Sequence, residues 1–463
     1  MPQAEFTRRA FLAASAAALA ATGVPTSTAQ SPNTTPPDAS TRHARNLIFM
    51  MADGLSLGAL TLGDLAARKL HHQPLHWLDW IATGAPRLAL LATDSADRII
   101  TDSAAAASAW SIGLRVNNDA LSVTPDGHRP PPLLVRLKQA GFLTGALTTT
   151  DVLDASPAAM LANADRRADF PAIAQQYLQG AVDLIIGGGF SLFDPDDLRS
   201  APNLRLLRSL PDLRSSLGAT DRLFALLADR DLTTEIDRTP NDPSFSDLVR
   251  AALDHFTART ANTGARFALF LESEDTDTAA HDNDAATLAH AVLAFDQGLA
   301  VALQFCDSHP DTLLIVTTDH SNANPGFARY AATAPEQLDR LCAAKRSFRA
   351  ILDRFRSAPA PRNAAALAAL LSDGQGVTLA DDEIEILDRW LAKVRVDPFD
   401  LRNRQLSPLG SLVGNHLGVA FNSSTHTADH VIATAQGPGA TALPPVGHLV
   451  DIHHLILNSL GLA

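Results

Sequence analysis

Five short, nearly unbroken apolar runs constrain this chain more than any other feature. Residues 47–52 run into Asp53-Gly54, 142–150 form a second run, and 183–186 lead into Gly187-Gly188-Gly189. Residues 267–271 run into Glu272, and 313–318 into Asp319-His320. Continuous runs of this length are typical of strands buried on both faces. Helix-like segments lie between them, at 132–140, 168–180, 245–260 and 284–305. This alternation predicts an α/β chain: a three-layer α/β/α sandwich with a central, mostly parallel sheet. Sites in such sheets form at the carboxyl ends of the strands. Three of the five runs end there in an acidic residue: Asp53, Glu272 and Asp319.

The pattern breaks over 330–406. Leu338, Leu341, Cys342, Phe348, Ile351, Leu352 and Phe355 recur at near-helical spacing, and 364–371 and 382–394 also read as helical. We read this stretch as a mainly helical insertion into one domain spanning 46–463. At the other end, Arg8-Arg9 is followed by Phe11-Leu12, an alanine-rich run and the small residues Ser27-Thr28-Ala29. A basic start, a short apolar run and a small-residue site predict a signal peptide over 1–29, of twin-arginine type. The bland alternative is an amphipathic helix. Residues 30–45, rich in Ser, Thr and Pro, read as a flexible linker. A periplasmic or secreted protein is therefore expected. No later apolar run reaches the ~18 residues of a membrane span. The net charge of −13 argues against nucleic-acid binding, which favours a basic face. Cys306 and Cys342 read as buried free thiols, with one disulfide as the alternative.

Thr101-Asp102-Ser103 is followed by four alanines, the best helix formers, so a helix should start near Ser103. Its first N–H groups and positive dipole end form a phosphate site, where a serine hydroxyl would lie beside the bound phosphorus. The competing reading makes Asp102 or Ser103 a simple N-cap. Further candidate ligands are Asp53, Asp154 with Ser156, Glu272, Asp277 with His281, Asp319 with His320, and His426. Asp277 and His281 are four apart and share a helix face. Imidazole with carboxylate suits zinc; carboxylate with hydroxyl suits magnesium. Taken singly, each segment reads equally as a turn, a cap or a satisfied histidine.

Taken together and in this order, these segments resemble the alkaline phosphatase family. The matching stretches are 46–54, 101–118, 154–167, 183–189, 271–284, 315–321 and 423–430. The resemblance implies hydrolysis of phosphate monoesters through a phosphoserine on Ser103, with two Zn2+ and one Mg2+. Asp277, His281 and His426 would hold one zinc. Asp53, Asp319, His320 and Ser103 would hold the other, and Asp53, Ser156 and Glu272 the magnesium. Asp154 would orient the magnesium's waters. Arg167 would clamp the phosphate by its spacing from Asp154, with its neighbour Arg166 left open. Small phosphorylated substrates and a homodimer are the implied partners.

The chain departs from the family at Ser156, where threonine is common, and at Ser273, where glycine is usual. It departs again at Thr278, which often is Lys, His or Trp; this leaves the metal choice at the third position open. His416, His448, His453 and His454 match no role. A phosphodiesterase of the same superfamily and a non-catalytic phosphate- or metal-binding protein are the alternatives. A sulfatase is disfavoured, because Ala105 and Ala107 stand where its maturation signal needs Pro and Arg.

Overall fold

The structure, a computed structural model, describes residues 43–463 apart from 181, 262, 329–332, 360 and 395–405. The expected signal peptide, nearly all of the linker, and parts of the insertion lie outside the described residues. The strands in chain order are β1 (Asn46–Ala52), β2 (Arg87–Ala92), β3 (Phe142–Asp151), β4 (Leu184–Gly188), β5 (Leu204–Leu207), β6 (Arg222–Leu226) and β7 (Arg266–Ser273). They continue with β8 (Thr312–Thr317), β9 (Ser321–Asn322), β10 (Pro325–Phe327), β11 (Val419–Phe421), β12 (His426–Thr427), β13 (Val431–Gln436) and β14 (Val446–His448).

Ten strands form one sheet in the order β14-β2-β13-β8-β1-β7-β3-β4-β6-β5. All are parallel to their neighbours except β13, which runs antiparallel to β2 and β8. The fold is thus the expected α/β sandwich. β1 shows why its sequence reads as one apolar run. Ile48, Met50 and Ala52 enter the core on one face, and Leu47, Phe49 and Met51 enter the core on the other. Each face of a central strand needs its own apolar set, so alternation disappears.

Helices cover both faces. Leu57–His71, Phe245–Thr260 and Ala285–Ser308 pack on the first. Ser103–Ile112, Leu133–Gln139, Ala155–Leu161 and Val450–Leu460 pack on the second. Within 330–406 lie the helices Ala334–Cys342, Phe348–Ser357, Ala364–Gln375 and Asp381–Leu391. Their apolar residues Leu341, Phe348, Ile351, Leu367 and Leu387 join the first core.

Two expectations need correcting. Ala285–Ser308 is long and apolar enough to cross a membrane, which the sequence reading denied to every run. Its most apolar stretch is 78% buried inside the fold, so its hydrophobicity serves the first core. Cys306 and Cys342 are free, but half-buried rather than buried.

Candidate metal centre and nucleophile

The predicted site residues gather at the carboxyl ends of β1, β3, β7 and β8. Asp53 follows β1 directly, and its N–H donates to Ser273 O at 2.9 Å. Glu272 lies near the end of β7, and Asp319 and His320 follow β8. Asp277 and His281 share the helix Asp275–His281, which starts two residues after β7. His426 lies on β12, paired in register with Asn322 of β9.

The helix Ser103–Ile112 begins beside them. All ten of its residues are buried, so apolar or small side chains occupy every face. Both readings of its start hold at once. Asp102 is the N-cap, its Oδ1 accepting from Ala105 N–H at 2.9 Å and its Oδ2 from Asp119 N–H at 2.8 Å. Ser103 is the first helical residue, 4% exposed, with Oγ 3.2 Å from His320 Nε2. The cap turns the helix N-terminus toward the ligand residues, and Ser103 points into them.

Two groups can each hold a cation, their ligand atoms lying within 4.8 Å of one another: Asp277, His281 and His426; and Asp53, Asp319 and His320. The donor chemistry fits metal. His281 Nδ1 donates to Ser424 O at 2.8 Å, and His426 Nδ1 donates to Thr101 O at 3.0 Å. A carbonyl only accepts, so each ring, when neutral, carries its proton on Nδ1 and presents a lone pair at Nε2. Those lone pairs face each other across 3.1 Å. Two acceptors at that separation repel unless a proton or a metal cation lies between them.

The acidic residues support the same reading. Asp53 Oδ1, Asp319 Oδ2, Ser156 Oγ and both carboxylate oxygens of Glu272 are buried without a hydrogen bond of good geometry. Burial and the charges of Asp319, Asp277 and Glu272 push the Asp53 carboxyl well above its ordinary range. Burial pushes Glu272 up to about 8, with Asp154 and Asp319 adding and the Thr148 and Ser156 hydroxyls opposing. Burial would also raise Asp277, but a positive charge on His281, whose Nε2 stands 3.1 Å from Oδ2, holds it well below the usual carboxylate range, as a cation bound there would. A buried acidic cluster of this kind requires cations to be stable in ionised form.

The adjacent arginines diverge. Arg167 Nη2 donates to Asp154 Oδ1 at 2.9 Å, and Nη1 stands 3.9 Å from Asp102 Oδ2. Arg166 is 75% exposed and pairs with Asp119 at the surface. The Thr278 hydroxyl donates to Glu274 Oε1. Of the histidines without a matching role, His453 is buried with Nδ1 on Trp110 O, His448 donates to Asp94 O, and His416 pairs with Glu383. His454 is exposed.

Sequence reasoning missed Asn322. It is fully buried, and its Nδ2 donates to Asp277 Oδ1 at 2.8 Å. Its place directly after Asp319-His320-Ser321 was the only signal. Thr276 was missed as well; its hydroxyl donates to the Asp53 carbonyl.

A model of the alkaline phosphatase family matches residues 44–462. The chain belongs to the alkaline phosphatase family. It is 32% identical over 314 residues to the repressible alkaline phosphatase of Saccharomyces cerevisiae, covering 60% of this chain and 54% of that one. It is 29% identical over 293 residues to alkaline phosphatase 4 of Bacillus subtilis, covering 60% and 61%. The chain thus spans little more than half the length of these relatives. The crystal structure of Thermus thermophilus alkaline phosphatase superposes with a TM-score of 0.82 at 27% identity, covering 94% of this chain and 96% of that one. That of a cold-active alkaline phosphatase from Shewanella sp. shares the fold, with a TM-score of 0.76 at 24% identity, covering 90% and 99%.

Proposed function

We propose that this alkaline phosphatase family member hydrolyses phosphate monoesters through a phosphoserine on Ser103, with two zinc ions and one magnesium ion. The observation that carries this reading is the Ser103 hydroxyl, set at a buried helix N-terminus and 3.2 Å from a ligand histidine. Asp277, His281 and His426 would hold one zinc; Asp53, Asp319 and His320, with Ser103, the second. Asp53, Ser156 and Glu272 would hold magnesium. When bound, such cations neutralise phosphate charge and lower the pKa of coordinated hydroxyls.

The chain's own residues account for the rest. Ser103 Oγ attacks phosphorus, and the bond from phosphorus to the alcohol oxygen breaks; the alcohol leaves with the electron pair and takes up a proton. Water then attacks the phosphoserine, the bond from phosphorus to Ser103 Oγ breaks with its electron pair on the oxygen, and a proton from the water restores the serine hydroxyl as inorganic phosphate is released. The N–H groups of the first turn and the helix dipole favour the negative phosphoryl group throughout. Asp102 fixes that turn. Arg167, held by Asp154, would clamp two non-transferring oxygens. Export from the cytoplasm, on a twin-arginine signal read at 1–29, is part of the same proposal.

The test is nitrophenyl phosphate turnover at alkaline pH by protein stripped of metal and reloaded with zinc and magnesium, beside Ser103→Ala. Activity restored by both metals, abolished in the variant, and accompanied by an acid-trapped phosphoserine supports the reading. Turnover by Ser103→Ala near the wild-type level sinks it. A nitrophenyl diester preferred over the monoester would replace it with a diesterase.

A further inference from the structure

The chain leaves the helix Asp275–His281 through one unusual residue. Asn283 is 4% exposed and has φ of +54°. Two backbone bonds close the turn there: Asp284 N–H donates to Ala279 O, and Asn283 N–H to Ala280 O, both at 3.0 Å. This pattern ends many helices, and glycine is its usual residue. Asparagine tolerates the conformation because its short side chain can hydrogen-bond nearby backbone.

Its side chain gives the reason. Asn283 Nδ2 donates to Ala280 O at 3.0 Å and to Ser423 O at 2.8 Å. Both partners are carbonyls, so the amide must present its two protons there. One proton holds the last turn of the helix that carries Asp277 and His281. The other holds the segment that leads to His426. The next carbonyl along, Ser424 O, accepts from His281 Nδ1. Gly410 packs against the base of this side chain, where an added Cβ would fall 2.5 Å from Asn283 Cβ.

We propose that Asn283 is a positioning residue, which sets the approach of His281 to His426 and so the affinity of that group for its cation. The inference rests on the reading that Asp277, His281 and His426 hold zinc. Without the amide, the turn persists through its backbone bonds, but the helix end loses its bond to Ser423 O and keeps the His281 side chain itself as its tie to Ser424 O. The His281 Nδ1 bond then loses its reference, and the facing Nε2 atoms are free to drift apart.

Two variants separate this role from a merely structural one. Asn283→Gly keeps the turn and removes the clamp. Asn283→Asp keeps the size but turns two donors into acceptors against two carbonyls. Zinc dissociation constants by chelator competition, the visible spectrum of the cobalt-substituted protein, and the melting temperature of the metal-free protein are measured for each. We expect both variants to lose about ten- to hundredfold in affinity for one zinc, as outer partners of metal ligands do. The other zinc should be held as in wild type, one cobalt band should change, and the metal-free Asn283→Gly protein should melt close to wild type. Wild-type zinc affinity in Asn283→Gly overturns the proposal. So does loss of every metal in step with a lower metal-free melting temperature. A wild-type protein that holds no zinc at all fails earlier, at the metal reading itself.

Discussion

Arg167 reaches Asp154 across 2.9 Å, while Arg166, its neighbour in the chain, turns out to the surface and to Asp119. Arg167 is 30% exposed, and despite burial, which lowers it, Asp154 and Asp102 hold its guanidinium firmly protonated. A guanidinium fixed by one carboxylate keeps its remaining N–H groups for a ligand. We expect Arg167→Ala to raise both KM and the inhibition constant for inorganic phosphate by roughly ten- to hundredfold, the worth of a charge-assisted hydrogen bond of about 1.5–3 kcal/mol. Arg167→Lys should recover part of this, since a point charge cannot form the fork. Arg166→Ala should change either constant less than about twofold, as exposed pairs contribute little. Equal losses in the two alanine variants would exchange or merge their roles.

What could be read in advance follows from where each signal resides. β1, β3, β7 and β8 were legible because both faces of a central strand are apolar. Phe245–Thr260 was legible to its ends, and the structure adds a capping box of Ser244 and Asp247 at its start. β2 was not, because its Leu88 and Leu90 face outward near the edge of the sheet, and only Ala89 and Leu91 are buried. β13 was also missed; six residues with a central threonine do not stand out among turns. The site divides in the same way. Asp53, Glu272 and Asp319 are strand-end residues and announce themselves. His426 lies on a two-residue strand, and only its order in the family pattern singled it out. Asn283 and Asn322 act on carbonyl and carboxylate groups whose positions exist only in the folded chain.

The buried imidazoles set an acid limit on stability. His255 and His453 are both buried, and burial pulls each down to about 4. His255 Nδ1 also accepts from Gly218 N–H at 3.2 Å, a bond that protonation would destroy. Between pH ~6.5 and ~4 the unfolded chain binds more protons at these sites than the folded one. Their contribution is therefore fully present above pH ~6.5 and is lost as pH falls toward 4, by up to about 3 kcal/mol each. Asp151 and Asp284, pushed up to about 6 by burial, act in the opposite direction over part of that window. The measurement is consequently the difference in slope of unfolding free energy against pH. His255→Gln and His453→Gln should each make the slope between pH 5 and 7 less positive than in wild type. A slope unchanged in both would show that neither imidazole takes up a proton on unfolding.

Asp53 should change the sign of its effect with metal. In the metal-free protein burial and the neighbouring Asp319, Asp277 and Glu272 oppose its ionised form, so folding must either keep the charge against them or take up a proton. Removing the carboxylate by Asp53→Asn relieves that cost, so the metal-free variant should melt above metal-free wild type. With zinc and magnesium present the order should reverse. A ligand at a hundred times its dissociation constant stabilises by about 2.7 kcal/mol, and the variant forfeits much of that at two positions. Four melting curves, each protein with and without metal, decide the matter. If Asp53→Asn is the less stable protein in both states, the carboxylate serves packing or hydrogen bonding rather than a cation.

Gly54 joins the two ligand groups through its lack of a side chain. Its φ is +64°, its N–H donates to Asp319 Oδ1 at 3.0 Å, and an added Cβ would fall 2.2 Å from Asp277 Oδ1. Gly54→Ala therefore meets two penalties. The left-handed backbone costs about 1–2 kcal/mol for a residue with a Cβ. The overlap costs about 1–3 kcal/mol more, or is relieved by moving the Asp277 carboxylate. Gly141→Ala isolates the first penalty, because Gly141 has φ of +84° with nothing within 4 Å of its Cβ position. We expect Gly141→Ala to lower unfolding free energy by about 1–2 kcal/mol with its zinc content intact. Gly54→Ala should lower it by a further increment, lose zinc, or do both. If the two variants match in stability and in bound zinc, Asp277 does not depend on the space that Gly54 leaves open.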